Sequence, residues 1–281
     1  MTELLEPQRD REQAVAEYRR VRRWGWWYVA EHRIRSMRNY VGSLFIIGIG
    51  SPIMYLLGLG AGLGVLVNQN QGDNAVDGVG YLEFIAPALL LAGVMVTAAQ
   101  ESTFGVFGGF KWTPIFLGMR DTALTPAQIV TGFALGTMAR YVPAACFYMI
   151  AMYAFGIIHG WGGLLMIPIA MLLGTAISTA VMAWVSTQRN DRGQLSFVER
   201  FVMTPLTLFS GTYFPLETLH EGLHWVGWIS PLWHTAELGR LATYGSEQTL
   251  WLTVVHILYP VALAVAGWFL SVRHFTKRLT S

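Results

Sequence analysis

Charge is scarce in this sequence. Only 13% of its 281 residues are Asp, Glu, Lys or Arg, and 53% are hydrophobic. A chain so poor in charge, with apolar runs of about 20 residues, excludes a soluble globule and reads as an all-α polytopic membrane protein. The single cysteine, Cys146, excludes an intrachain disulfide. The only lysines, Lys111 and Lys277, follow Phe110 and Thr276. The G-x-x-x-x-G-K-[ST] loop that cradles nucleotide phosphates is therefore missing, and any ATP hydrolysis that drives this chain must come from another polypeptide. The first 38 residues lack a short apolar stretch with a small-residue cleavage site, so no cleavable leader is expected. A net charge of +2 creates little field for nucleic acid, which is not expected as a partner.

The charge that exists is concentrated. Residues 1–38 hold nine arginines and six carboxylates, with Trp24, Trp26, Trp27 and Tyr28 between the arginines. This is the pattern of a helix lying on the cytoplasmic face of a membrane, cations toward anionic headgroups and rings in the interface. Lys and Arg otherwise gather in a 107–126 loop, a 188–200 loop and the last nine residues. The positive-inside rule then places both termini in the cytoplasm. The expected domains are a cytoplasmic segment with an interfacial helix (1–40), a six-helix transmembrane domain (41–272) and a cytoplasmic tail (273–281).

The first expected span, 41–67, has glycines at 58, 60, 62 and 64, which permit close packing or local unwinding. The loop after it carries Asp73 and Asp77 without Lys or Arg and should face outward. Further spans are expected at 81–106, 127–158, up to about 187, up to about 210, and at 249–272. Glu101 and Arg140 lie at depths where an ionised group needs a protein partner or a cavity, and Arg140 could pair with Glu83 or Glu101. Between Lys111 and Asp121, the residues Trp112, Ile115, Phe116 and Met119 space as one helical face suited to docking on a protein, beside Arg120.

Residues 209–240 combine two prolines, three histidines and three tryptophans between apolar segments. No lipid-spanning helix suits that mixture, whereas a re-entrant or interfacial hairpin between spans five and six does. Phe214-Pro215 should end span five, and Trp225 and Trp228 should sit at the interface. Within the stretch, His220-Glu221-Gly222-Leu223-His224 matches the zinc-protease pattern H-E-x-x-H, with His220 and His224 as ligands and Glu221 as base. Ser230 stands where an extended pattern would have its third histidine, and Gly222 weakens the helix that must carry the ligands.

Phe209-Ser210-Gly211-Thr212-Tyr213-Phe214-Pro215-Leu216 and Pro231-Leu232-Trp233-His234-Thr235-Ala236-Glu237-Leu238-Gly239-Arg240 carry a resemblance. They are similar to the F-S-G-x-x-F-P-L and P-L-x-H-x-x-E-L-x-R motifs of type-2 ABC exporter permeases, in the branch with nodulation lipo-oligosaccharide and daunorubicin export permeases. Tyr81-Leu82-Glu83-Phe84 resembles that family's second span, though Ala88 stands where glycine is usual. The resemblance implies a bacterial inner-membrane permease working with a second permease subunit, identical or homologous, and a partner ATPase that binds ATP and Mg. It also implies a coupling helix at Lys111, Trp112, Phe116, Arg120 and Asp121. Glu101, Arg140, Gly211, Phe214, Pro215, Trp225 and Trp228 become candidates for the translocation path or its gate. The cargo would be a lipid-linked saccharide or a hydrophobic compound. Two other classes compete: a membrane zinc protease using the H-E-x-x-H match, and an ion-coupled transporter using Glu83, Glu101 and Arg140.

Overall fold

A computed structural model describes residues 6–38, 42, 50, 53–71 and 76–280. Among them every regular element is a helix, apart from an isolated bridge between Val76 and Val79. Four helical segments are long and apolar enough to cross a membrane: Tyr81–Lys111, Pro126–Ala154, Trp161–Val185 and Leu250–Thr280. The expected first span lies partly outside the described residues (41, 43–49, 51 and 52), as does Asp73. Its described part is a π-helix over Gly58–Gly64 followed by α2, Val65–Gln71. The local unwinding expected of its glycines takes that form.

Helix α1, Glu6–Met37, packs its C-terminal half along α5, Pro126–Ala154. Glycine sets the approach. A Cβ on Gly132 would lie 2.3 Å from the Trp26 carbonyl oxygen, so no side chain fits there. The Gln128 amide donates to the carbonyls of Val21 and Arg22 at 3.2 and 2.8 Å, while the Gln128 carbonyl closes a capping box with Thr125. Trp24 and Trp27 remain exposed on the other side of α1.

Helix α3, Tyr81–Lys111, continues past its expected end at Val106 because Phe107 and Phe110 find apolar partners there. Its 31 residues rise roughly 46 Å, more than a bilayer core. Helix α6, Met166–Val185, meets α5 where Gly174 admits the Tyr141 ring. The fifth expected span is shorter than a bilayer-crossing helix: α7, Gln194–Val198, a π-turn Glu199–Met203, and α8, Thr204–Phe209. Pro205 lacks an amide donor, and the ladder widens just before it.

Two short elements, α9 (His224–Ile229) and α10 (Pro231–Thr243), lead to α11, Leu250–Thr280. Helix α11 exposes an apolar face that includes Leu258 and Phe269, as a lipid-facing helix does. The expected tail at 273–281 is not a separate piece: α11 runs through it, burying Phe275 and Leu279 against Phe110 and Phe116.

Candidate functional site

The two motifs meet through Arg240. Its side chain is 1% exposed, and its guanidinium lies 3.8 Å above the Phe84 ring. It donates to Glu237 Oε1 at 2.6 Å, to the Gly211 carbonyl, and at 3.4 Å to the Phe84 carbonyl. One buried cation thus ties the end of α8 and the start of α3 to α10. Gly211 has φ +68, a left-handed conformation that turns its carbonyl to that cation. Beside it, Ser210 Oγ donates to Ser230 Oγ at 2.6 Å, and Ser230 caps α10 by accepting from the Leu232 amide. Leu216 packs on Gly227, folding the connecting stretch back on itself. Trp225, Trp228 and Ile229 stay more than half exposed, and Phe214 is also exposed. Of the residues expected at a gate, Gly211 is thus held by Arg240, whereas Phe214, Trp225 and Trp228 lie on the exposed side of the stretch.

His234 belongs to the same network. Its Nε2 lies 3.0 Å from the Trp228 carbonyl, an acceptor only, so Nε2 carries the hydrogen. Its Nδ1 then accepts from His256 Nδ1–H at 2.8 Å. Burial lowers the His234 pKa from 6.5, and the Trp228 carbonyl opposes part of that shift. The unfolded chain therefore takes up the proton first on acidification. The stability gained from neutral His234 is present above pH 6.5 and is lost as pH falls below it. We expect the unfolding midpoint to drop from pH 7.5 to 5, by at most ~1.4 kcal/mol per pH unit from this residue. The His234→Gln variant should show a shallower slope.

The H-E-x-x-H match does not form a two-turn helix. His220 is the N-cap of a 3₁₀ turn, Glu221–Leu223, and its Nδ1 accepts from the Gly222 amide at 3.1 Å. His224 starts a separate helix, with Nε2 3.0 Å from the Leu219 carbonyl. Both rings are thus bound to their own backbone. Among the described residues no group of three or more metal-ligating side chains gathers. Glu221→Gln and His220→Ala should each change stability by less than about 0.5 kcal/mol. Both should leave activity and the metal content measured by emission spectrometry unaltered.

Glu101 is the partner of Arg140, at 2.9 Å, and it has a second partner that the sequence did not point to: Arg33 of α1, also at 2.9 Å. Gly105 and Gly136 open the slot that Arg33 enters, and its guanidinium lies 3.8 Å over Phe133. Burial pulls the Arg33 pKa down to about 10, Glu101 raising it and Arg140 lowering it. Arg33 is therefore still a cation at neutral pH. The Glu101–Arg140 pair lines a cavity of about 380 Å³ between α3 and α5, within the range of ligand pockets. Leu90, Val94 and Ala144 form apolar wall, and Tyr148 and Tyr213 stand toward the other end. Glu83 is not part of this cluster; its expected pairing with Arg140 gives way to Glu101, which lies at the same level of the bundle.

The sequence matches the ABC-2 type transporter family over residues 26–244, most of its length. The chain belongs to that family. It is 27% identical over 248 residues to Nodulation protein J of Rhizobium leguminosarum bv. viciae, covering 86% of this chain and 92% of that protein. Nodulation protein J of Rhizobium meliloti (strain 1021) is 27% identical over 256 residues, 91% and 94% of the two chains. The inner membrane transport permease YadH of Escherichia coli (strain K12) is 22% identical over 247 residues, 85% and 91%. The protein is thus a multi-pass permease of a bacterial inner membrane, a transport subunit of an ABC exporter and not itself the ATPase.

In this ABC-2 permease the expected coupling segment is α4, Ile115–Arg120, a helix of only six residues. Its docking face needs correction. Phe116 is 1% exposed and sits among Phe110, Phe133 and Phe275, with a Gly109 that leaves room for its ring. Ile115 and Met119 are half-buried. The outward side is instead Lys111, Trp112, Gly118, Arg120 and Asp121, with Trp112 edge-on to Phe107 and Arg120 paired with Asp121 at 2.9 Å. Arg120 Nη1 also donates to the Leu279 carbonyl at 3.3 Å, joining the segment to the end of α11. Periodicity found an apolar face correctly but could not say that this chain itself covers it.

Proposed function

We propose that this chain is one of two permease subunits of an ATP-driven exporter that carries a lipid-linked saccharide or another hydrophobic compound outward. The observation that supports this most is the cavity between α3 and α5, ionic at one end and aromatic with hydroxyls at the other, beside the strapped motif element. A route of that polarity suits a molecule with a polar group and an apolar body. In this reading the chain makes six spans with both termini cytoplasmic. Helix α1 rests in the inner interface against lipid, and the 209–230 stretch is a re-entrant outer gate. A second permease, identical or homologous, completes the pathway, and the partner ATPase supplies ATP and Mg. Residues 1–40 and 273–281 belong to the cytoplasmic side and 41–272 to the membrane domain.

Lys111, Trp112, Arg120 and Asp121 are the surface we assign to the ATPase. Replacing Trp112 by Ala together with Arg120 by Glu should lower co-purification of the ATPase at least about tenfold, as loss of an aromatic and an arginine anchor does. The permease itself should fold normally. Phe116→Asp should instead lower the amount of folded permease, because it buries a charge. Vesicles holding permease and ATPase, assayed for ATP-dependent uptake of a fluorescent lipid-linked saccharide, test the reading directly. Uptake that is unaffected by omitting the ATPase would overturn it in favour of ion coupling.

A further inference from the structure

We propose that the cavity between α3 and α5 takes amphiphiles with an anionic headgroup, and that Arg140 is the residue that binds that group. The inference rests on the exporter reading and narrows its cargo to a charged class.

The charge count at the ionic end is unequal. Arg33 and Arg140 each take one oxygen of the Glu101 carboxylate, so two cations share one anion. Glu101 is the only carboxylate among the described residues that line this cavity, and Glu199 is engaged by the Gln100 amide. The two arginines also differ in what else they hold. Arg33 is held through two of its nitrogens and its face: Nε donates to Thr137 Oγ1, Nη2 to the Glu101 carbonyl, and the plane covers Phe133. Arg140 lines the cavity, yet its Nε is buried without a hydrogen-bond partner among the described residues. A guanidinium with a free donor and a net positive surrounding is the arrangement that a carboxylate or phosphate satisfies, through the planar fork.

The remainder of the cavity fits the remainder of such a molecule. Leu90, Val94 and Ala144 offer apolar wall, which an acyl chain would cover. Tyr148 is 6% exposed, lines the cavity, and its hydroxyl has no partner among the described residues. Arg140 and Tyr148 are about 12 Å apart along α5, so a ligand reaching both must be elongated. A neutral head can offer the Arg140 donor only an uncharged hydroxyl and leaves the excess positive charge unbalanced, and a cationic one would meet like charge.

Three probes share a dodecyl tail and differ in the head: dodecyl phosphate, dodecyl glucuronide and neutral dodecyl glucoside. Native mass spectrometry of the full chain released from phosphatidylcholine nanodiscs counts one-to-one adducts. We expect half-occupancy by an anionic probe at a concentration about tenfold lower than by the glucoside, the worth of one hydrogen bond to a charged group. Binding of both anions would assign any anionic cargo. Binding of the phosphate alone would assign a lipid phosphate head.

Arg140→Gln should abolish the preference, and Ala144→Phe should weaken all three probes. Arg33→Gln, which removes the excess positive charge but keeps the Arg140 fork, should weaken the preference less than Arg140→Gln does. Equal occupancy by anionic and neutral probes, or an unchanged preference in Arg140→Gln, would overturn the proposal. If Arg140→Gln does not fold, Arg140→Lys serves in its place. Lysine has no fork, so it should lose at least about threefold of the glucuronide preference, and no loss overturns the proposal. Export that still depends on the ATPase while the preference is missing would sink this inference alone. Export that needs no ATPase would sink the exporter reading and leave the binding result standing.

Discussion

Arg240→Met should lower the unfolding free energy of this permease by about 3–5 kcal/mol, the cost of breaking a buried charge pair by removing one partner. Three acceptors lose their donor at once: Glu237, the Gly211 carbonyl and the Phe84 carbonyl. Glu237 is then left without its cation. Burial already raises the Glu237 carboxyl above the ordinary carboxylate range, and Arg240 is the main influence holding it down. Arg240→Lys should recover little of the loss. An ammonium cannot reach three separate acceptors in one plane or stack on the Phe84 ring as a guanidinium does. The measurement is the unfolding midpoint in denaturant, with a limited-proteolysis pattern to localise the damage. Cleavage should appear first in residues 211–230, the stretch that Arg240 straps down. A variant as stable as the parent, with that stretch still protected, would show that the clamp is not what holds it.

Glu101→Gln should have the next largest effect, about 2–3 kcal/mol, because the part-buried Arg33 and Arg140 would face each other without an anion between them. Its signature is a rescue. Adding Arg33→Gln to Glu101→Gln removes one of the two like charges and should restore about half of the loss. Two independent contributions would simply add. The same double variant should loosen α1 from α5, which exchange of the α1 amides would report. If the two changes sum without recovery, the three side chains do not act as one cluster.

The helices, the concentration of basic residues and the motif elements were legible because each depends on local composition. Apolar length reports a span, and Pro126 and Thr125 report a helix start, whereas Phe214-Pro215 misplaced the end of α8, which stops at Phe209 because Gly211 takes a left-handed turn. The pairing of Arg140 was half legible: a lone cation in an apolar run demands an anion, but Glu83 and Glu101 satisfied the demand equally on paper. Arg33 was hidden because it lies in an arginine-rich segment whose members look alike in sequence. Only one of them faces the slot made by Gly105 and Gly136.

Sequence by itself determined that this chain lives in a membrane and that proline starts or interrupts several of its helices. Those follow from the transfer energies of side chains and from the missing amide of proline, which act wherever the residue sits. Tertiary structure alone decided that Phe116 faces inward, that the H-E-x-x-H residues bind their own backbone, and that Arg240 joins two distant motifs. A hydrogen bond, an ion pair or a ring contact has a range of a few ångströms, and residues 29 and 156 positions apart in the chain come within it only when helices pack.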